Sequence, residues 1–329
     1  VQANCFYLMS FDLFEMLERR WFRLALLFFV VTVLSVAMGL ANTIVGQWMA
    51  PVIGVAEEHG FFAHLTVGIT LGVAFVLNTL LIGLLPFKAQ LLVIWFELLI
   101  LVLAFFDSFG LSYPFIWKRL PFLITQGAFT TIYVSMVAII LACVLAMAGA
   151  LARLSKSGPA FGIATFYISF FRGTPLLLQV YLIYLGLPQL GYDVPAVPAG
   201  IAALALCYGA YMAEIFRAGI QSIPHGQAEA GRALGLHKGV IMRKIVLPQA
   251  MRIIVPPTGN QFIAMLKDSS LISVIGVWDL MFLARTQGRS EFKHLEMLIT
   301  AAIIYWIISA IFELIQARIE KHYGKSSLR

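Results

Sequence analysis

The chain of 329 residues is 61% hydrophobic and only 12% charged, and its mean hydropathy is +0.91. A soluble domain of this length could not bury so much apolar surface, so the composition excludes a soluble fold and indicates that lipid surrounds most of the chain. The formal net charge of +7 is therefore assigned to basic loops sorted to one membrane face, and not to nucleic-acid binding.

The first part of the chain predicts three membrane spans. Residues 1–21 are expected to form a cytoplasmic N-terminus, and the apolar run that follows is too long for a secretory signal, which predicts a retained anchor. Apolar windows near 22–41, 64–85 and 89–106 can each cross a bilayer, for which about 20 residues are needed. Residues 22–106 are therefore predicted to be three N-terminal transmembrane helices.

Asn78 and Glu97 are the only strongly polar residues at depth in these three spans. A carboxyl group inside a membrane is a candidate functional group by default. A protonated or locally paired Glu97 is the alternative, and we favour it over a functional role.

The second part of the chain predicts an interfacial segment and five further spans. Residues 107–125 combine aromatic, basic and proline residues in an irregular outer segment suited to the periplasmic interface. A core of residues 126–315 follows, and then a cytoplasmic tail of residues 316–329. The five spans in the core lie near 126–151, 161–185, 198–220, 253–275 and 296–315.

The fold class predicted from these windows is an all-α polytopic membrane protein with about eight transmembrane helices. When the N-terminus is placed inside, most of the 23 lysines and arginines fall on the cytoplasmic side. The positive-inside rule then predicts that both termini are cytoplasmic.

The sequence offers no constellation for catalysis or metal binding. Cys5, Cys143 and Cys207 are scattered, and the six histidines have no metal-ligand spacing, so neither a disulfide framework nor a metal site is predicted. No GxxxxGK[ST] motif and no convergent nucleophile and base occur, which disfavours a membrane enzyme. If ATP is used, another chain must hydrolyse it.

The loop of residues 221–250, between the sixth and seventh predicted spans, carries the most specific pattern. Residues 227–234 have good helix composition, and Gly235 follows as a stop. The strings Glu229-Ala230-Gly231, Gly235 and Ile245-Val246-Leu247-Pro248 resemble the EAA loop of ABC importer permeases. Gly231 stands where that family usually has a second alanine, which lowers helix propensity by up to about 1 kcal/mol.

In that family the loop forms a coupling helix seated in a cleft of the ATPase subunit. The resemblance implies that this chain has no catalytic residue and no cofactor of its own, and that ATP and Mg are bound by the partner ATPase. The small residues would let a partner approach the backbone closely, and Glu229 and Arg232 would offer charged contacts. The implied ATPase-coupling residues are Glu229, Ala230, Gly231, Arg232, Gly235 and Pro248.

Four other strings resemble the polar amino acid permease family, over roughly residues 117–323. They are Arg172-Gly173-Thr174-Pro175, Tyr211-Met-Ala-Glu214-Ile-Phe-Arg217, Asn260-Gln261 and Lys267-Asp268-Ser269. The resemblance implies a type I importer permease core of five helices preceded by three extra helices, a layout similar to general L-amino-acid permeases. It also implies a bacterial inner membrane location and three kinds of partner: two ATP-binding subunits, a second permease subunit and a periplasmic amino-acid-binding protein.

Residues Arg172 to Pro175 also suggest a substrate pathway by themselves. Arg172 lies about 12 residues into its span, or about 18 Å, which is mid-bilayer. It could bind a substrate carboxylate in a bidentate fork, or it could pair within the bundle to hold the helices together. Gly173, Thr174 and Pro175 are expected to loosen the helix and expose backbone groups.

Pro256, Pro257 and Gly259 are expected to loosen the seventh span in the same way. Thr174, Asn260 and Gln261 are accordingly the candidates to line a pocket, and a proline kink with polar packing is the alternative.

The remaining candidate residues are three consecutive residues near an outer gate and one structural ion pair. Lys267, Asp268 and Ser269 could line an outer gate or satisfy one another at the interface. Glu214 and Arg217 are spaced i, i+3 and are expected to form a structural ion pair.

The main alternative function is an ion-coupled secondary transporter that uses Glu97 and Glu214 as proton sites. Such a transporter would need inverted repeats, and the sequence has none that we detect. The sequence leaves open which amino acid is carried, whether the two permeases are identical and whether Arg172 binds substrate.

Overall fold

The computed structural model describes residues 20–43, 45, 46, 49 and 60–324, with side chains described up to residue 321. Every regular element in this part of the chain is helical, which confirms the predicted all-α class. The chain divides into two compact units, Val1–Leu111 and Ser112–Arg329. The predicted N-terminal segment of residues 1–21 lies almost entirely outside the described residues.

The first unit contains three long apolar helices, α1 (Arg20–Ala37), α2 (Phe61–Ile82) and α3 (Phe87–Asp107). Glycines on α2 let α1 approach closely, since a Cβ at Gly68 would lie 3.0 Å from the Thr32 carbonyl oxygen. The Thr32 hydroxyl donates a hydrogen bond to the Gly68 carbonyl at 3.2 Å. Small residues four apart are typical of helix pairs in membranes.

Asn78 and Glu97, the two strongly polar residues predicted at depth in the first three spans, are paired with each other. The Asn78 Nδ2 atom donates a hydrogen bond of 2.9 Å to Glu97 Oε2, which joins α2 to α3. This is the local pairing expected from the sequence. No residue of α3 is fully buried, and Glu97 is one of its half-buried residues.

The second unit begins with a helix that runs from Tyr113 to Arg153, through α4 (Tyr113–Phe122), a π-helical turn (Leu123–Ala128) and α5 (Phe129–Arg153). The prediction of an irregular segment up to residue 125 is therefore wrong over this stretch. Pro114 stands in the first turn of α4, where a missing N–H costs nothing. The π-helical turn begins two residues after Pro121, and the helix stays continuous there.

The next predicted span is two helices and not one. Helix α6 (Gly158–Gly173) and helix α7 (Leu176–Gln189) are bent by 107° at Thr174 and Pro175. The window 161–185 is thus a broken span. Helix α8 (Ala196–Gln221) follows as the most buried helix of the unit, and it packs most extensively against α5.

The loop after α8 contains the short helices α9 (His225–Ala233) and α10 (Lys238–Ile241). A π-helical turn (Met242–Val246) leads from α10 into α11 (Leu247–Asp268), which is a long helix of the bundle. The helix predicted over residues 227–234 is therefore present, two residues longer at its start and one shorter at its end.

Helix α11 runs without a break through Pro256, Pro257 and Gly259, so the prediction that these residues loosen the span is wrong. A Cβ at Gly259 would overlap the Gln316 side chain of the neighbouring helix. Gln316 donates a 2.7 Å hydrogen bond from Nε2 to the Pro256 carbonyl oxygen. This hydrogen bond joins α11 to α13 beside the two prolines.

The seventh span ends further along, where a 3-10 helix (Ser269–Ile275) gives way to α12 (Leu280–Ser290) at a 51° bend. Gly276 has φ +83°, and buried Asp279 caps α12 by accepting a 2.9 Å hydrogen bond from the Phe282 N–H.

Helix α13 (His294–Gly324) completes the bundle. Six helices in the described residues are long and apolar enough to cross a membrane, or up to eight when each bent pair counts as one span. Three of these spans lie in the first unit and five in the second. This is the predicted arrangement of five core helices preceded by three extra ones.

Candidate functional site

The break between α6 and α7 is held by one buried side chain, Gln179. Pro175 has no N–H to donate to the Phe171 carbonyl four residues earlier. Gln179 Nε2 supplies the missing donor, with hydrogen bonds of 2.9 Å to the Phe171 carbonyl and 3.0 Å to the Thr174 carbonyl. Gln179 is only 2% exposed, so the sharp bend is a fixed part of the fold.

A pocket of about 440 Å³ opens at this break. The break forms one wall, and α8 and α11 form the others. The volume falls within the range of sites for small molecules. The lining residues are Arg172, Gly173, Thr174, Pro175, Leu176, Cys207, Tyr208, Tyr211, Gln261 and Asp268.

The pocket carries one positive and one negative side chain. The guanidinium of Arg172 lies over the ring of Tyr211, 5.4 Å from its centroid, in a cation–π contact. The carboxylate of Asp268 accepts a 2.7 Å hydrogen bond from the Tyr208 hydroxyl. A small zwitterion could therefore place its carboxylate at the guanidinium and its ammonium at Asp268.

Most predicted pathway residues meet in this pocket, but three do not. Asn260 and Lys267 are exposed and are not part of the lining. Ser269 is fully buried, and its hydroxyl donates to the Leu266 carbonyl at 2.7 Å, so it serves the turn that follows α11. Lys267, Asp268 and Ser269 therefore do not line one surface together, as an outer gate would require.

Besides the apolar Leu176, sequence reasoning missed four residues of this region that carry polar groups. They are Gln179, Cys207, Tyr208 and Tyr211. Tyr208 and Tyr211 are spaced i, i+3 in α8, which places both on one face. This spacing is the sequence feature that could have identified the two tyrosines as neighbours. Nothing in the spacing of Gln179 indicates that it would reach back over the bend.

The candidate coupling helix α9 ends in a complete Schellman motif. Gly235 has φ +76°, its N–H donates to the Arg232 carbonyl at 2.9 Å, and the Leu236 N–H donates to the Gly231 carbonyl at 3.1 Å. A glycine adopts this left-handed conformation without the steric cost that other residues meet. Gly235 therefore fixes where the helix stops and how the chain turns back.

The two faces of α9 differ. Gly231 faces inward, and a Cβ there would lie 3.0 Å from both Ile241 and Ile245, so it is not part of an outer docking face. This close packing explains why a glycine replaces the usual alanine. The outer face presents Glu229, Ala230, Arg232, Ala233 and Leu234, and Leu234 is 78% exposed.

Two smaller features lie on α9 and at the start of α11. Glu229 and Arg232 lie 3.9 Å apart and are both well exposed, so the pair contributes little to stability. Pro248 is exposed in the first turn of α11.

The Glu214 and Arg217 pair is present and has a third member. Arg217 Nη2 lies 2.7 Å from Glu214 Oε2, and Arg153 Nη1 from α5 lies 3.2 Å from Glu214 Oε1. Arg153 also lies over the ring of Phe161 on α6, 5.4 Å from its centroid. These contacts join three helices near the loop of residues 221–250. Among the described residues, no group of three or more His, Cys, Asp or Glu could hold a metal.

Comparison with a family model matches residues 146–325 to the binding-protein-dependent transport system inner membrane component. The matched region lies within the second unit.

Among related sequences, the arginine transport system permease of Bacillus subtilis (strain 168) is 39% identical, over 62% of this chain and 93% of that protein. The L-cystine transport system permease of the same organism is 38% identical, over 62% of this chain and 87% of that protein. Its probable glutamine ABC transporter permease is 35% identical, over 60% of this chain and 94% of that protein.

Chains of solved ABC transporter structures are also similar to this chain. A chain of an amino acid ABC transporter crystallised with histidines is 37% identical, has a TM-score of 0.60 and matches 64% of this chain and 99% of its own length. The inward-facing MetNI methionine ABC transporter is 20% identical and has a TM-score of 0.54, with 65% of this chain and 99% of that chain covered. The second likeness concerns the fold alone.

Proposed function

The chain belongs to the family of binding-protein-dependent transport system inner membrane components, and from this premise we propose that it is the permease subunit through which an ATP-driven importer moves polar amino acids. The observation that carries the proposal is the helix α9, which presents an exposed face beside five core spans.

The substrate class is supported by the pocket and by the relatives. Proteins named as arginine, cystine and glutamine permeases are 35–39% identical to this chain over the aligned residues. An α-amino acid carries a carboxylate and an ammonium group, and Arg172 and Asp268 line one pocket. The hydroxyl, thiol and amide groups of Thr174, Cys207 and Gln261 would then face the side chain of the substrate.

The proposed partners follow from the permease role. Two ATP-binding subunits would bind ATP and Mg and would contact α9 through Glu229, Ala230, Arg232 and Ala233. A second permease, identical or a sister chain, would complete the pathway, and a periplasmic binding protein would deliver the amino acid. We place this multi-pass protein in the bacterial inner membrane with both termini in the cytoplasm, because most basic residues then lie inside.

A pair of glycine substitutions in one helix tests the coupling role. Gly235→Val forces a β-branched residue into a left-handed conformation, whereas Gly226→Ala lies at the other end of α9 with nothing within 4 Å of the new Cβ. In cells that express the chain with its partners, we expect Gly235→Val to lower ATP-dependent uptake at least tenfold. Gly226→Ala should keep uptake near the parent level.

Co-purification of an ATP-binding subunit with the detergent-solubilised chain is the second measurement. It should be strong for the parent and for Gly226→Ala and weak for Gly235→Val. Uptake that continues after ATP is depleted, or when no ATP-binding subunit is present, would contradict the proposal and would point to ion-coupled transport.

The role of Arg172 is tested separately. We expect Arg172→Gln to lower the uptake of a labelled panel of arginine, glutamine, glutamate and cystine by ten- to a hundredfold, since a bidentate partner of the carboxylate is lost. The amount of folded protein in the membrane should stay the same. A matching loss of folded protein would assign the guanidinium a structural role instead.

A further inference from the structure

The turn between α12 and α13 has a phenylalanine where helix ends usually have glycine. The Lys293 N–H donates to the Gly288 carbonyl at 2.8 Å, and the Phe292 N–H donates to the Arg289 carbonyl at 3.5 Å. These two hydrogen bonds form a Schellman motif, in which Phe292 occupies the left-handed position with φ +54°. In the part of the chain that the structure describes, no other residue except glycine has a positive φ.

Two other helices of the second unit end in the same motif with glycine at this position. Gly235 follows α9, as described above, and Gly191 follows α7. The Gly191 N–H donates to the Pro188 carbonyl at 2.9 Å, and the Tyr192 N–H donates to the Leu187 carbonyl at 3.1 Å. Glycine adopts the left-handed conformation readily, whereas a Cβ atom crowds the following carbonyl oxygen. Phenylalanine is therefore the less stable choice for the α12 turn, and backbone geometry does not explain it.

The side chain of Phe292 adds almost nothing to the packing of the turn. It is 91% exposed, which is the highest value for a large hydrophobic residue in the described part of the chain. Its neighbours on both sides, Glu291 and Lys293, are charged, and charged groups oppose insertion of the turn into hydrocarbon. Phe292 is thus an apolar side chain presented to an aqueous surface.

The backbone that carries Phe292 is held in one direction. A Cβ at Gly288 would lie 3.0 Å from the Lys293 carbonyl oxygen, so the turn folds back closely on α12. Glu291 is also paired with Arg119 of α4, at 2.8 Å. A lipid anchor has no need of a fixed, strained backbone, whereas a fixed direction lowers the ordering cost of entering a shaped protein pocket.

The surface beside Phe292 is positively charged. Arg285 and Arg289 are spaced i, i+4 on α12, so they share one face, and both are exposed. Neither forms a salt bridge with any residue that the structure describes. The two carboxylates of the turn, Glu291 and Glu296, are already paired with other basic residues, at 2.8 and 3.5 Å. A partner that covers this turn should therefore be acidic.

The turn lies at the end of the bundle opposite to the loop of residues 221–250, because α11 connects that loop to α12. Under the proposed function, on which this inference rests, that end faces outward. We infer that Phe292 anchors the soluble amino-acid-binding protein to the permease, by entering an apolar pocket whose rim carries carboxylates opposite Arg285 and Arg289. Buried aromatic anchors supply much of the affinity of protein interfaces, and complementary charges speed association.

The test measures how uptake depends on the concentration of the binding protein. The complete transporter in proteoliposomes loaded with ATP receives a labelled amino acid and increasing amounts of the binding protein of the same transporter. We expect Phe292→Gly to raise the half-saturating concentration at least about tenfold and to leave the maximal rate near that of the parent. The thermal midpoint of the variant should be unchanged or higher, because glycine relieves the left-handed residue.

Further variants test the ring and the charges. Phe292→Tyr keeps the ring and should stay within about twofold of the parent. Arg285→Gln and Arg289→Gln combined should raise the half-saturating concentration about fivefold and make it less sensitive to salt, since salt screens exposed charges. Arg318→Gln is the matched control, exposed on α13 at the other end of the bundle, and should change neither quantity.

Four results would overturn the inference. An unchanged half-saturating concentration for Phe292→Gly would do so and leave the proposed function intact, whereas parent uptake that needs no binding protein would overturn both. A lower thermal midpoint for Phe292→Gly would assign the ring a structural role. Finally, the tryptophan fluorescence gained in Phe292→Trp should be quenched by iodide and protected by the binding protein. Quenching by brominated phospholipid instead would identify a membrane anchor.

Discussion

Two proline-containing segments of the core behave in opposite ways. The chain bends by 107° at Thr174 and Pro175, whereas α11 stays helical through Pro256 and Pro257. Each proline removes one donor from its helix. What differs is the neighbouring side chain. At the first site Gln179 bonds the carbonyls that the bend exposes, and at the second Gln316 bonds a carbonyl of the continuous helix.

The comparison teaches that a proline permits a break in a helix but does not force one. The pocket lies at the broken site, where backbone and the Arg172 side chain are turned toward α8 and α11. The unbroken site packs against α13 through the close approach of Gly259 and Gln316. One site thus opens space for a ligand and the other closes it.

The largest effect is expected from removing the donor at the bend. Gln179→Leu keeps the size of the side chain but leaves the Phe171 and Thr174 carbonyls without this partner, which should destabilise the protein by about 2–4 kcal/mol. Thermal unfolding of the purified chain should show a clearly lower midpoint, and uptake should fall with it.

The matched control is Gln189→Leu on the same helix, where the glutamine is exposed. Its effect should stay within about 0.5 kcal/mol. Equal midpoints for the two variants would mean that Gln179 does not hold the bend.

The next effect concerns the unbroken site. Gly259→Ala would push away the Gln316 side chain and cost its hydrogen bonds to the Pro256 carbonyl and to Glu320, for a loss of about 1–2 kcal/mol. In a Gln316→Ala background the overlap is gone. There the same change should be neutral or slightly stabilising, because alanine is the better helix former.

A double-mutant cycle on thermal unfolding measures this dependence. We expect a coupling free energy of at least about 1 kcal/mol between positions 259 and 316. Additive effects would show that the two side chains act independently.

A smaller effect is expected when Pro175 is replaced by alanine. Pro175 has φ −61° and ψ 134°, which alanine can also adopt, so the change should act mainly by loosening the unfolded chain. The expected destabilisation is about 0.4–1 kcal/mol, read from the shift in thermal midpoint. A loss as large as that of Gln179→Leu would assign the bend to the proline itself.

The same substitution at Pro257 should have the opposite sign. Alanine restores an N–H that can bond the Ile253 carbonyl within a helix that is already continuous, so the variant should be more stable by up to about 1 kcal/mol. The pair of proline variants thus compares the two sites directly, with thermal unfolding under identical detergent conditions. Destabilisation by Pro257→Ala would show that proline stiffness matters more than the missing hydrogen bond.

The sequence was sufficient for much of this fold. Apolar windows predicted eight spans, because the length of a helix in lipid is set by bilayer thickness and composition. Gly235 was predicted to stop α9, since a glycine after good helix formers is a local signal. These features depend on neighbouring residues along the chain.

Other features could not be predicted because they depend on residues far apart in sequence. Gln316 contacts the proline-rich segment of α11 although it lies 60 residues after Pro256. Asp268 meets Tyr208 across the same separation, so the pocket could be only partly assembled in advance. Gln179 is close in sequence to the bend. Its role depends on the 107° change of direction between α6 and α7, which helix propensities of single residues do not predict.

Gly68 and Gly72 on α2, which allow the close packing of α1, also bear on how the protein is made. Both helices precede residue 112 and contact each other through residues only about 40 positions apart. At roughly 5–20 residues per second, the ribosome needs on the order of 10–40 s to add the remaining part of the chain. The helix pair α1 and α2 therefore has time to pack before the core has been translated.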